Sequence, residues 1–241
     1  MKIAISLSGQ TRTYIHCHKT LIEYFNNHDV DYFIHSWDDV DFSMYNPKDV
    51  IVENYHDDNF IDLEKKLFST YPASTKPFHN MFSMWYSNYK SNKLRQKYQK
   101  ENNINYDIVV RCRFDLFFNG QFQSHSIDDK TIYAPSHNNH HGGVNDCFAY
   151  GSSDSMDIYF SLYENLENSI TAGMRRYWPE IILKWHLSKN KFQIINKKIE
   201  YQILRDKFVG LKYSEIPEQD YDVVSIRHKI CDERRKFIMK E

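Results

Sequence analysis

Glycine and proline are scarce in this chain: seven glycines and six prolines among 241 residues. No Gly-, Pro- or Ser-rich stretch divides it, so the sequence predicts one domain rather than two joined by a linker. The patterns G-x-G-x-x-G and G-x-x-x-x-G-K-[ST] are both absent, which excludes the usual dinucleotide fingerprint and the P-loop. The four cysteines, Cys17, Cys112, Cys147 and Cys231, form no C-x-x-C pair and lack zinc-finger spacing. They are expected to be small buried residues in a reducing compartment. No apolar run approaches the roughly 18 residues of a membrane span, and the N-terminal run is too short for a signal peptide. A cytoplasmic protein without a transmembrane segment is therefore expected. There is no excess of either charge: the net value is −1, which argues against a nucleic-acid partner. Two local basic runs, Lys90, Lys93, Arg95, Lys97 and Lys100, then Arg234, Arg235 and Lys236, are expected to be solvated faces. What the chain holds in quantity is aromatic: 18 Tyr and 16 Phe allow a bulky core and ring-stacking sites.

Hydrophobic spacing predicts the elements. Lys2 to Ser8 reads as a strand, followed by a turn at Ser8–Arg12 and a helix to about Phe25. Val30 to Ser36 is nearly continuous in apolar residues, as a buried parallel strand would be. Val50 to Val52 is a short strand. Asp57 or Asp58 can cap a helix carrying Phe60, Ile61, Leu63, Leu67 and Phe68. A long amphipathic helix runs from Phe78 to about Gln99, with Met81, Phe82, Trp85, Tyr89 and Leu94 at helical spacing. Further strands are expected at Thr131–Ala134, Asp146–Tyr150 and Phe192–Asn196. Ser152 or Ser153 caps one later helix and Pro179 starts another. This order predicts an α/β single domain with a mostly parallel central sheet flanked by helices.

The richest stretch is Tyr106 to Phe118, an apolar run that ends in charge. In a strand, Ile108, Val110, Cys112 and Phe114 share one face, and Arg111, Arg113 and Asp115 share the other. Unpaired buried charge is costly, so this arrangement at a strand end suits either a structural ion pair or a phosphate-bearing ligand, with or without a metal. Asp115 is the metal candidate, for Mn²⁺ or Mg²⁺, which prefer carboxylate oxygen. The Ser8-Gly9-Gln10-Thr11-Arg12 turn could present backbone N–H groups and Arg12 to an anion. Trp37 could stack on a base and Asp38 could accept from a ribose hydroxyl; the alternative is a core tryptophan beside a capping aspartate. The loop from His137 to Gly143 carries His137, His140 and His141, which read as a polar solvent loop more readily than as ligands. Asp146 could orient a sugar hydroxyl or act as a base. Glu180 opens a helix, where the dipole favours it, or serves as a general base.

Taken in order, Ile5–Arg12, Asp31–Asp38, the long helix before Val110–Asp115, Asn145–Gly151 and Pro179-Glu180 resemble the A-type-fold nucleotide-sugar glycosyltransferases. They are similar in particular to the lipopolysaccharide-synthesis-like (WavE-like) and related viral and bacterial glycosyltransferase-like proteins. These families hold a divalent metal through Asp-x-Asp, where this chain reads Arg113-Phe114-Asp115. The resemblance implies a nucleotide-binding half at 1–118 and an acceptor half at 119–241. Ser8, Gly9, Gln10, Arg12, Trp37, Asp38, Arg111 and Arg113 would then hold the nucleotide and its diphosphate, and Asp146 and Glu180 would lie toward sugar and acceptor. The expected activity is hexosyl transfer from a nucleoside diphosphate sugar to a glycan, lipid-linked or small acceptor in polysaccharide synthesis, by a monomer or a homo-oligomer. A non-catalytic nucleotide- or glycan-binding module, and a sugar-phosphate nucleotidyltransferase, are the competing expectations.

Overall fold

The computed structural model describes residues 1–68, 78–137, 139–171 and 178–205. Cys231 and the basic run Arg234, Arg235 and Lys236 lie outside them, as do the side chains of Asp57, Asp58, Leu67, Phe68 and His141.

The elements in chain order are β1 (Lys2–Gly9), α1 (Tyr14–Tyr24), β2 (Asp29–Ser36), β3 (Asp49–Val52), α2 (Asp57–Phe68), α3 (His79–Asn102), β4 (Ile108–Cys112), β5 (Leu116–Phe118), β6 (Thr131–Pro135), β7 (Phe148–Gly151), α4 (Ser153–Phe160), α5 (Leu166–Thr171), α6 (Pro179–Lys189), β8 (Gln193–Lys197) and β9 (Tyr201–Ile203). Seven strands form one sheet in the order β3-β2-β1-β4-β7-β6-β8, and β5 pairs with β9 in a second, two-stranded sheet. The expected mostly parallel α/β architecture is what the chain adopts. β1 runs parallel to β2 and β4, β2 to β3, and β6 to β8, while β7 is antiparallel to both its neighbours. The β4–β7 pairing joins the two halves of the chain into one continuous sheet.

Alternation along the strands sends side chains to two cores. Ile3, Ile5, Leu7, Ile108, Val110, Cys112 and Phe114 pack with Leu21, Tyr24 and Phe25 at the end of α1 and with the β5–β9 ribbon. Ala4, Phe33 and Val109 face the other way, onto Phe82 and Trp85 of α3, Met156 and Tyr159 of α4, and Leu183 of α6. Fully burying one such side chain contributes about 1.5–3 kcal/mol, so these two layers fix the register of β4. Ser152 caps α4 by accepting from the Ser155 N–H at 3.2 Å, and Pro179 takes the first turn of α6, both as expected.

Three expectations change. Arg113 and Asp115 do not continue the strand: β4 stops at Cys112, and Arg113–Asp115 form a turn into β5, which the sequence reading did not separate. The basic run of α3 is not wholly solvated, because Arg95 is 1% exposed and its guanidinium bonds Asn92, Gln99 and Asp157. α3 is also buried more widely than an amphipathic stripe, enclosing Ser83, Ser87, Asn88, Ser91 and Asn92, while Tyr89 reaches out to Glu164. Cys17, Cys112 and Cys147 are free and buried as expected, and burial raises each thiol pKa.

Candidate functional site

β1, β2 and β4 end on the same rim of the sheet, and β7 starts there, with Phe148 opposite Cys112. In open α/β sheets this rim is where ligands bind. A cavity of about 390 Å³ opens at it, lined by Ser8, Gly9, Gln10, Arg12, Trp37, Tyr55, Asn80, Ser83, Met84, Arg111, Arg113 and Arg205. Seven of the residues singled out from sequence therefore meet in one place. A second cavity of about 540 Å³ shares Trp37 and is lined by Glu53, Asn54, His56, Phe60, Tyr86 and Tyr163.

The turn after β1 bends through two positive-φ residues, Gly9 at 114° and Arg12 at 44°. Gly9 tolerates this at no steric cost, whereas Arg12 holds a conformation uncommon for a side-chain-bearing residue. Two contacts fix it there. Asp38 Oδ2 accepts from the Thr11 N–H at 2.7 Å and the Thr11 hydroxyl at 2.8 Å. Arg12 donates to Gln10 Oε1 and to Asp115 Oδ2. Asp38 thus braces the turn and is not among the residues that line the cavity. The Ser8 hydroxyl is committed to Asn88 Oδ1 at 2.5 Å. Trp37 stacks on Tyr86 at 5.7 Å and stands between the two cavities.

Asp115 is 1% exposed and surrounded by cations. Arg113 donates Nε to Oδ1 at 2.8 Å and Nη2 to Oδ2 at 2.6 Å, and Arg12 and Arg205 each reach Oδ2 at 3.1 Å. Burial alone would raise the Asp115 pKa, but Arg113, then Arg12 and Arg205, hold it below the usual carboxylate range. For Arg113, burial opposes the charge and Asp115 outweighs it, so its pKa is raised.

Arg111 is different. It is 1% exposed, it lines the cavity, and its Nε and Nη1 have no hydrogen-bond partner among the described residues. No carboxylate among the described residues is ion-paired with it. Burial, with Arg113 adding, lowers its pKa. A buried guanidinium with orphaned donors is expensive, and nearly all buried polar groups in folded proteins are satisfied. Its natural complement is an anion in the cavity.

Asp115 does not fit the divalent ion expected of it. Three guanidiniums already crowd it: Arg12, Arg113 and Arg205 all meet Oδ2 and Arg113 also meets Oδ1, so a cation approaching this carboxylate would stand among three positive charges. No group of three or more His, Cys, Asp or Glu side chains with metal-holding geometry occurs among the described residues.

Asp146 and Glu180 stand beside the cavity rather than in its lining. Arg113 Nη1 donates to Cys147 Sγ at 3.4 Å, and that thiol donates to Asp146 Oδ1 at 3.4 Å. Glu180 is 7% exposed, its Oε2 has no partner among the described residues, and burial followed by the neighbouring Asp146 raises its pKa to about 8. Gly143 lies against its backbone so closely that a Cβ there would sit 2.5 Å from the Glu180 carbonyl carbon.

Arg205 is the residue the sequence reading missed. The alternation Ile199, Tyr201, Ile203 before it repeats, in shorter form, the apolar-then-charged pattern of β4. β9 pairs with β5, and the Leu204 N–H donates to the Asp115 carbonyl at 2.8 Å, which brings Arg205 to the same carboxylate as Arg113.

No helix among the described residues is long and apolar enough to cross a membrane. No curated protein matches the chain. A family sequence model described as a domain of unknown function (DUF7796) matches residues 1–226, and the chain belongs to that family.

Proposed function

We propose that this protein is a glycosyltransferase that uses a nucleoside diphosphate sugar as donor. The observation that carries the reading is Arg111: a buried guanidinium, lining a cavity at the sheet rim, whose Nε and Nη1 meet no partner among the described residues. Arg12, Arg113 and Arg205 line the same cavity, so it favours a polyanionic ligand over a single carboxylate. The adjoining chamber, with Trp37, Phe60, Tyr86 and Tyr163 beside Glu53 and Asn54, suits the rings and hydroxyls of the rest of such a donor or of a saccharide acceptor.

In the reaction, the bond between the anomeric carbon and the diphosphate oxygen breaks, and its electron pair stays on that oxygen. Guanidinium N–H groups aimed at the developing charge stabilise it, an effect typically worth 10²–10³ in rate for one donor. The acceptor hydroxyl oxygen forms the new bond, and its proton passes to a carboxylate, for which Asp146 and Glu180 are the candidates. A general base must be ionised, so with Glu180 in that role transfer rises with pH toward about 8.

The test incubates the protein with UDP-, GDP-, CMP- and dTDP-sugars and acceptor saccharides, and detects released nucleotide and new glycoside. Donor-dependent product that Arg111→Met reduces at least about 100-fold supports the proposal. Binding of a nucleotide sugar with no turnover on any acceptor, or in hydrolysis, replaces it with a non-catalytic binding module.

A further inference from the structure

We propose that this site grips a diphosphate with guanidinium groups alone and needs no divalent cation. The inference rests on the donor-sugar reading above and specifies how its leaving group is held.

Asp115, the carboxylate on which three of the cavity's arginines converge, is 1% exposed, does not line the cavity, and has Oδ2 met by three guanidiniums and Oδ1 by one. Four guanidiniums, Arg12, Arg111, Arg113 and Arg205, line the cavity, and three of them share this one carboxylate, so the local field repels a dication and attracts a polyanion. Asp115 acts as an internal counter-ion. It draws Arg12 from the first turn, Arg113 from the end of β4 and Arg205 from beyond β9 to one point, and so preorganises groups from three parts of the chain. Arg111 is left out of that cluster with Nε and Nη1 unpartnered among the described residues, which makes it the group in the cavity best placed to meet an anionic ligand. When the sugar–oxygen bond breaks, the electron pair left on the diphosphate meets N–H donors where a metal would otherwise stand. Asp146 and Glu180 are not in the cavity's lining and do not rebuild a metal site there: Glu180 is a buried carboxyl, and Asp146 already accepts from Cys147.

The test is calorimetric titration of the whole protein with inorganic pyrophosphate, in excess EDTA and then in Mg²⁺ or Mn²⁺. Expected are affinities that agree within about threefold with and without metal, weakened at least ~10-fold in Arg111→Met, whose fold is checked by circular dichroism. Arg205→Met is a second probe on a more exposed group and is expected to weaken binding in the same direction. Binding that appears only with metal overturns the inference and leaves the glycosyltransferase reading standing. EDTA-resistant binding that neither variant alters also overturns it, because the anion then sits elsewhere. No binding under any condition overturns both.

Discussion

Arg111, a base, and Glu180, an acid, share one diagnosis: each is a buried ionisable group left short of partners among the described residues. For Arg111 this predicts a trade between stability and binding. Replacing an uncompensated buried charge by an apolar side chain of similar length is often stabilising by about 1–4 kcal/mol. Arg111→Met is therefore expected to raise the melting temperature of the ligand-free protein while weakening diphosphate binding; a lowered melting temperature would mark Arg111 as a structural group. For Glu180 the sign runs through its raised pKa. The folded state favours the protonated acid, so its contribution to stability is full below the unfolded value near 4.3 and is lost as pH rises to about 8. Glu180→Gln does not titrate. Its stability relative to the natural protein is expected to grow by roughly 2–5 kcal/mol between pH 4 and pH 9. Parallel denaturant-unfolding midpoints across that range would contradict this.

At the scale of elements, the strands were legible because period-2 alternation and apolar runs are local properties. Ile108, Val110, Cys112 and Phe114 fell in one core as their spacing required. The turn at Arg113–Asp115 was not legible, since the pattern continues across it and only the pairing of β5 with β9 reveals the break. Arg205 was missed for the same reason: its place depends on a three-residue strand meeting another about 85 positions earlier. The brace made by Asp38 on Thr11 and the burial of Arg95 on Asp157 are likewise tertiary, with no local trace. The entry of α6 depends on a close approach. A side chain at Gly143 would collide with the Glu180 backbone, so Gly143→Ala must push the start of α6 outward. It is expected to destabilise the protein by about 1–3 kcal/mol in chemical denaturation and to shift the pH profile of any activity that uses Glu180. An unchanged midpoint would show that the helix start yields freely.

For the molecule as a whole, the seven-stranded sheet and the β5–β9 ribbon together gather a cationic cluster on a single carboxylate, although the chain's net charge is only −1. Asp115 is held below its ordinary pKa, so its contribution is present above the unfolded value near 3.9 and is lost as pH falls through the lower folded value. Asp115→Asn, which leaves three guanidiniums without their counter-ion, is expected to cost about 3 kcal/mol at pH 7, with the deficit closing below about pH 4. Urea unfolding at pH 7 and pH 3 reads both values, and an equal deficit at the two would refute the assignment.

The most direct measurement titrates the protein and Arg111→Met with UDP, GDP, CDP and dTDP in parallel. The predicted result is saturable binding of at least one nucleoside diphosphate to the natural protein, and a loss of about 100-fold or more in the variant. Equal affinity in the two proteins, or no binding of any nucleoside diphosphate, would contradict the claim that the guanidinium-lined cavity holds the leaving group of an activated sugar.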